Sequence, residues 1–345
     1  MTESTKTILE KYQVRKTKAQ KAAFIEYVRG IAENSDYAFR VEEGMLGARN
    51  LVIGDPDSAK VVFTAHYDTQ PVLPMPNFIT PKNIWIYIFY QIVLVTVVMI
   101  CPMVLVGIAV GVPITLVGEA LLWQQDLIFG LIEAVMYLAL IGSMLLIMFG
   151  PANKATANDN TSGVTVVLDI MQALAHTDQW ETGINKRLSG DNVPEGMRLS
   201  SNELRSRVAF VLFDLEEVGL VGSSSFASKH KGVKKNTLLI NFDCVSDGDN
   251  ILLAPRRGAK KYEDALRSGY TSRPGFEVEV LSKGVFYPSD QAGFDRGVGV
   301  CALKKSKFLG VLYMDRIHTR RDTIYREENI ANLVDCSLDL IKNLE

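Results

Sequence analysis

The sequence predicts an α/β body, a mixed and largely parallel sheet sandwiched by helices, into which a transmembrane helical hairpin is inserted. Three observations carry this expectation. Short β-branched apolar runs alternate with segments of helical spacing, the pattern of strand–helix units around a sheet. One run, Val61–Ala65, is largely β-branched and apolar but for the hydroxyl of Thr64, as befits a strand covered on both faces. Between Asn83 and Asn153 the chain carries only three charged side chains, Glu119, Asp126 and Glu133. A simple soluble globule does not have such a stretch.

Taken in order, Lys16 to Asn34 has helical spacing, with Ala23, Phe24, Tyr27, Val28 and Ile31 on one stripe. Tyr37–Val41, Asn50–Ile53 and Val61–Ala65 read as strands. Ile84 to Val112 has no charge and Leu127 to Gly150 only Glu133. Both exceed the roughly 20 apolar residues needed to cross a bilayer core. Trp85, Tyr87, Tyr90 and Trp123 stand near the run ends, where amphipathic rings favour the interface. The short stretch Pro113–Asp126 returns the chain to its starting side. Beyond it, Val164–Ala175, Leu220–Lys229 and Ile330–Leu344 read as helices. Arg207–Phe213, Thr237–Phe242, Glu277–Leu281 and Val298–Leu303 read as strands. Gln179–Ser206 is polar, contains Gly and Pro and reads as a surface loop, and Asp247-Gly248-Asp249-Asn250 as a hairpin turn. Residues 1–82 hold too few strands for a sheet of their own. The expected organisation is therefore 1–82 and 154–345 as two parts of one catalytic body, with 83–153 as the inserted hairpin.

The net charge of −2 excludes a nucleic-acid binder, because little would neutralise a phosphate backbone. Four scattered cysteines form no CxxC pair and no disulfide framework, and read as free thiols. Lys82 and Lys154 border the hairpin on the side of both soluble parts, whereas the inter-helix turn has no Lys or Arg. Positive flanks stay inside, so the chain is expected to be an integral protein of the cell membrane with a cytoplasmic catalytic body. Met1–Gln13 is polar and lacks a signal-peptide core.

Acids and imidazoles collect at the ends of the expected strands: His66 and Asp68, Glu216 and Glu217, Asp243. Asp159 precedes a helix, and His318 lies in a late polar segment. Open α/β sheets bind ligands at the carboxyl ends of their strands. Imidazole with carboxylate and no thiolate suits a catalytic zinc. Singly, each acid also fits a turn or cap: Asp159 as a helix cap, Glu216–Glu217 as a solvated pair. His176, His230 and Arg256, Arg257, Arg320 and Arg321 read as surface residues.

Joint order decides between these readings. Val61-Val62-Phe63-Thr64-Ala65-His66-Tyr67-Asp68, Ala157-Asn158-Asp159-Asn160-Thr161-Ser162-Gly163, Phe213 to Ser223 around Glu216-Glu217, Asn241-Phe242-Asp243 and His318-Thr319-Arg320-Arg321-Asp322-Thr323 follow one another along the chain. In this order they resemble the zinc aminopeptidase and glutamate-carboxypeptidase-type family, the twenty-eighth among the metallopeptidases. Ser289 to Phe294 also resembles a family segment, with Gln291 where a His is common, and Arg320 stands where a Pro is common. The resemblance implies a zinc-exopeptidase-like fold and two zinc ions per chain. His66 and Asp243 would bind one ion, Glu217 and His318 the other, and Asp159 both. Asp68 would hold the His66 ring, and Glu216 would be the general base. Two such ions about 3.5–4 Å apart can share a hydroxide and polarise a scissile carbonyl.

The expected function is thus a membrane-anchored di-zinc exopeptidase, an aminopeptidase acting on peptides, with the lipid bilayer as its other partner. The alternatives are a single-zinc glutaminyl-cyclase-like enzyme and a non-catalytic binding module. Two spans with one intramembrane acid, Glu133, offer little for a transport pathway.

Overall fold

The computed structural model describes residues 2–117, 125–175 and 201–344. The inter-helix turn with Glu119 and Trp123, His176, and residues 179–200 of the expected surface loop lie outside the described residues.

The strands are β1 (Phe39–Glu43), β2 (Arg49–Ile53), β3 (Val61–His66), β4 (Val208–Phe213), β5 (Leu238–Phe242), β6 (Asn250–Pro255), β7 (Glu277–Val280), β8 (Gly297–Lys305) and β9 (Leu312–Tyr313). They form one sheet in the order β1-β2-β4-β3-β5-β8-β6-β7, with β9 paired to β8. β4, β3, β5 and β8 are mutually parallel, whereas β1 and β2 run against their neighbours, and β6 runs against β8 but parallel to β7. β3, from before the apolar stretch, lies between β4 and β5 from after it.

Alternation along the central strands builds two cores. Val61, Phe63 and Ala65 point to one face, with Phe210 and Leu212 of β4 and Ile240 and Phe242 of β5. Against them pack Phe24, Ile25 and Val28 of helix Lys18–Asn34, most of helix Gly163–Ala175 and Leu333 of helix Glu327–Asn343. Val62, Ala209, Val211 and Leu239 point to the other face, covered by Phe226 of helix Val221–Lys229, Val233 and Phe294. The result is a helix–sheet–helix sandwich, as the sequence predicts.

Several details differ from the sequence reading. The stripe on helix Lys18–Asn34 is Phe24, Ile25, Val28, Ile31 and Ala32; Ala23 faces solvent. Asp247–Asn250 is not a hairpin turn, because β5 and β6 are separated by β8. Asp247 is buried and accepts from Arg316 at 3.0 Å. His230 is not a free surface residue: its ring stacks on Phe226 at 4.2 Å and sits between Asp57 (2.7 Å) and Glu42 (3.1 Å).

Two helices, Ile84–Pro113 and Asp126–Phe149, are long and apolar enough to cross a membrane, with mean hydropathies of 2.9 and 2.2. Almost none of this surface is covered by the rest of the chain. The helices pack antiparallel: Gly107 abuts Met136 and Gly111 abuts Ile132. The small residues of Gly107-Ile108-Ala109-Val110-Gly111 bring the two backbones together, a spacing common between helices in lipid. At its base the first helix rests on the body, with Tyr87 against Phe286 (5.6 Å) and Tyr90 against Phe78 (5.6 Å).

Candidate metal centre

Each of the seven residues singled out from the sequence lies at the carboxyl edge of the central strands. β3 delivers His66, and Asp68 follows two residues on, both buried. Asp159 sits in the turn Ala157–Ser162 with extended backbone angles (φ −110, ψ 100), so it does not cap the following helix. Asn160 does that work, its Oδ1 accepting the Gly163 N–H at 3.0 Å. Gly163 is required there: a Cβ would lie 2.2 Å from the Phe242 carbonyl. This close approach carries Asp159 to the end of β5, where Asp243 emerges.

Glu216 and Glu217 follow β4 through Leu215, whose φ of 56 turns the chain sharply. Their N–H groups donate to the two Asp68 oxygens at 3.0 and 3.3 Å. Asp68 therefore ties the Glu216–Glu217 turn to the end of β3. His318 also has a left-handed backbone (φ 59), a conformation costly for a residue with a side chain. Its carbonyl accepts from the Leu73 N–H at 2.7 Å.

The side chains converge. His66 Nδ1 faces Asp68 at 3.5 Å, while its Nε2 lies 3.3 Å from Asp159 and 3.5 Å from Asp243. His318 Nε2 lies 3.1 Å from the other Asp159 oxygen and 3.5 Å from Glu217. Two candidate ligand groups result, His66–Asp159–Asp243 and Asp159–Glu217–His318, sharing Asp159. A third, His66–Glu216–Glu217, overlaps them.

A metal fits this donor set. Ligands about 2.0–2.1 Å from a tetrahedral zinc stand about 3.3 Å from one another, close to the separations found here. Asp159 Oδ2 is buried and makes no hydrogen bond, an acceptor that a cation would satisfy. The charges point the same way. Burial disfavours a protonated His66, yet Glu216, Asp159, Asp243 and Asp68 outweigh it and hold its pKa well above the ordinary value. Burial pushes Glu216 and Glu217 well above the usual carboxylate range, with neighbouring acids adding to it. Burial also opposes the Asp159 carboxylate, but His318 and His66 overcome it and hold its pKa low. Acids outnumber bases here, and positive charge is what the cluster lacks.

Other residues contribute that the sequence reading did not single out. Asp322 accepts the N–H groups of Asn158 (3.0 Å) and Asp159 (2.9 Å) and fixes that turn; burial and Asp159 push its pKa up to about 8. Arg15 is fully buried behind β3, donating to the Tyr67 carbonyl and to Thr161, with its guanidinium lowered to about 10 by burial. Asp290 is fully buried, and burial raises its pKa to about 7 against the pull of His66. Tyr287 donates to the Asp243 carbonyl at 3.0 Å. Asp290 and Asp322 lie inside segments already noted as family-like; nothing around Arg15 gives a signal. Two cavities flank the cluster. One of 470 Å³ lies between Leu73–Pro76 and Thr319–Arg321, the other of 290 Å³ is lined by Phe286, Tyr287 and Gln291.

A largely parallel sheet with an imidazole–carboxylate cluster at its carboxyl edge defines an α/β protein with a candidate metal centre. The chain belongs to peptidase family M28, whose sequence profile matches residues 143–338. Enzymes of this family are generally zinc-dependent hydrolases, and the ligand groups above are possible metal sites. Among solved structures, the LapA aminopeptidase of Legionella pneumophila is similar, with a TM-score of 0.52 and 12% identity over 99% of this chain and 70% of that one. A glutaminyl cyclase of Porphyromonas gingivalis gives 0.51 and 13% over 99% and 97%. A leucine aminopeptidase precursor of Bacteroides thetaiotaomicron gives 0.50 and 13% over 99% and 95%. These likenesses concern the fold. No curated protein matches the sequence.

Proposed function

We propose that the chain is a membrane-anchored, di-zinc exopeptidase that removes residues from peptide N-termini. The observation that supports it most is the sharing of Asp159 by two ligand groups, which suits a pair of cations. On this reading His66 and Asp243 hold one zinc, Glu217 and His318 the other, and Asp159 both. When bound, the ions would acidify a water and polarise the scissile carbonyl.

The protein's own residues do the rest. Asp68 faces His66 Nδ1, which leaves Nε2 for the metal and fixes the ring plane. The same carboxylate holds the Glu216 and Glu217 N–H groups, so base and ligand are positioned together. Glu216 is the general base: it takes a proton from the attacking water and passes it to the departing amine. The peptide would lie along the flanking cavities. The apolar helices would anchor the body at the cell membrane, on the cytoplasmic side where Lys82 and Lys154 stand.

The test is elemental analysis of detergent-purified protein together with turnover of peptides free or blocked at each terminus. Two zinc ions per chain and cleavage only of free N-termini are expected. Glu216→Gln should retain both metals and lose roughly 10²–10⁴-fold in turnover. One ion per chain with cyclisation of an N-terminal glutamine peptide would move the assignment to a cyclase. Retained fold with neither metal nor turnover would leave a binding module.

A further inference from the structure

We propose that the turn joining β8 to β9, tipped by Phe308 and Leu309 and preceded by Lys305 and Lys307, is a second bilayer contact. It would insert into the interfacial region of a membrane with anionic headgroups. The inference rests on the reading of the two apolar helices as membrane spans.

The turn is built to hold apolar side chains outward. Phe308 is 100% exposed and Leu309 64%. They are not on a loose segment. The Ser306 N–H donates to the Val311 carbonyl at 2.8 Å, and the Gly310 N–H returns to the Ser306 carbonyl at 3.1 Å. The Leu309 N–H donates to Ser306 Oγ at 3.1 Å, and Gly310 takes the positive φ of 65 that closes the turn. Lys304 is tied to Asp315, but Lys305 and Lys307 are exposed and make no ion pair among the described residues. A rigid aromatic tip directly preceded by two unpaired lysines suits the boundary of an anionic bilayer, where rings and lysines each find their medium.

The turn also stands on the side from which the helices leave. β8 is parallel to β5, with Val300 opposite Phe242 at the carboxyl end of β5. β8 then continues five residues to Lys305, about 17 Å further at the rise of an extended strand. The returning strand is continuous with the helix base. Met314 bridges Ile79, five residues before the first apolar helix. Tyr313 packs on Phe78 at 5.1 Å, and Phe78 on Tyr90 of that helix at 5.6 Å. The same strand leads on to His318. Contact at both places would turn the carboxyl edge, and the metal centre with it, toward the bilayer, so that peptides lying along the membrane surface would be the ones presented.

Cys101 lies exposed in the first apolar helix and the other three cysteines are buried, which gives the full-length protein an internal control. Protein labelled with an environment-sensitive fluorophore at Cys101, or at Phe308→Cys or Ser58→Cys in a Cys101→Ser background, is reconstituted into liposomes. These are phosphatidylcholine alone or with 30 mole per cent phosphatidylglycerol, carrying shallow spin-labelled lipid for positions 58 and 308 and acyl-chain-labelled lipid for position 101. Ser58 lies in the exposed turn before β3, at the opposite end of the sheet. We expect quenching at 308 at least threefold above that at 58, stronger in the anionic liposomes and reduced there by Lys305→Glu with Lys307→Glu. Quenching at 101 without quenching at 308 overturns the proposal and leaves the membrane spans standing. No quenching at 101 removes the spans and the proposal together. Shielding of 308 that rises with protein density instead of lipid assigns the tip to a second copy and also overturns it.

Discussion

The body and the apolar helix pair follow opposite burial rules. In the body, Phe63, Phe210 and Phe242 are fully buried and stacked across the middle of the sheet. In the pair, Leu138, Leu146 and Phe149 are 66, 63 and 61% exposed. Large contiguous apolar surfaces are rare on proteins bathed only by water, whereas hydrocarbon requires only that backbone polar groups be satisfied, which a helix does internally. The body carries the complementary excess, a knot of buried acids and imidazoles that lacks positive charge. On the proposed reading each region is completed from outside, one by lipid and the other by metal.

The largest expected effect that would break this comparison is a truncation made once in each region. Phe63→Ala removes a ring that stacks on both Phe210 and Phe242, and should cost the body about 3–5 kcal/mol. Leu138→Ala should cost it under about 0.5 kcal/mol, because Leu138 is 66% exposed and lies outside the core. Thermal unfolding of the body in micelles, followed by circular dichroism, measures both. Equal losses would mean that the helices fold as part of the same core.

A charge in the middle of the second helix sharpens the contrast. Leu138→Arg, near the centre of helix Gln125–Phe149, should oppose membrane insertion by about 2.5–3.5 kcal/mol. The body should still bind its full metal complement. The measurement is the fraction of chains resisting carbonate extraction, beside zinc content. Normal insertion would remove Leu138 from the bilayer core.

What could be read in advance divides along physical lines. β3, β4 and β5 were legible because strands buried on both faces are apolar at most positions, and that signal is local. β6 was not, because Asp247-Gly248-Asp249 before it has turn chemistry and its partner β8 lies some fifty residues on. Helix Glu3–Lys11 was missed since it buries only Ser4, Thr5 and Ile8, too little for a stripe. The ligand candidates were legible because strand ends and helix starts bring them to one edge in a recognisable order. Asp290 and Asp322 lie in family-like segments, but the resemblance gave them no role; Arg15 owes its role to burial, and an isolated Arg looks the same in sequence whether it faces water or a cluster of charge.

The smallest expected effect concerns a buried acid outside the candidate metal centre. Asp169, on helix Gly163–Ala175, accepts from the Thr2 hydroxyl at 2.9 Å and sits near Thr5. Burial lifts its pKa from 3.8 to about 6, and the two hydroxyls and the N-terminal amine only partly oppose this. A carboxyl whose pKa is higher folded than unfolded binds more protons in the native state. Its contribution is most favourable below pH 3.8, falls as pH rises between 3.8 and 6, and stays unfavourable above. Asp169→Asn keeps an acceptor for the threonines and removes the charge. A shift of this size is worth up to about 3 kcal/mol, and partial solvent access lowers the expected gain to about 1–2 kcal/mol at pH 8. Below pH 4 the variant and the natural chain should be equally stable. The readout is the difference between their unfolding free energies against pH, in which the titrations of the metal centre cancel. A difference that stayed constant from pH 4 to 8 would mean that burial does not raise the Asp169 carboxyl above its unfolded value in this body.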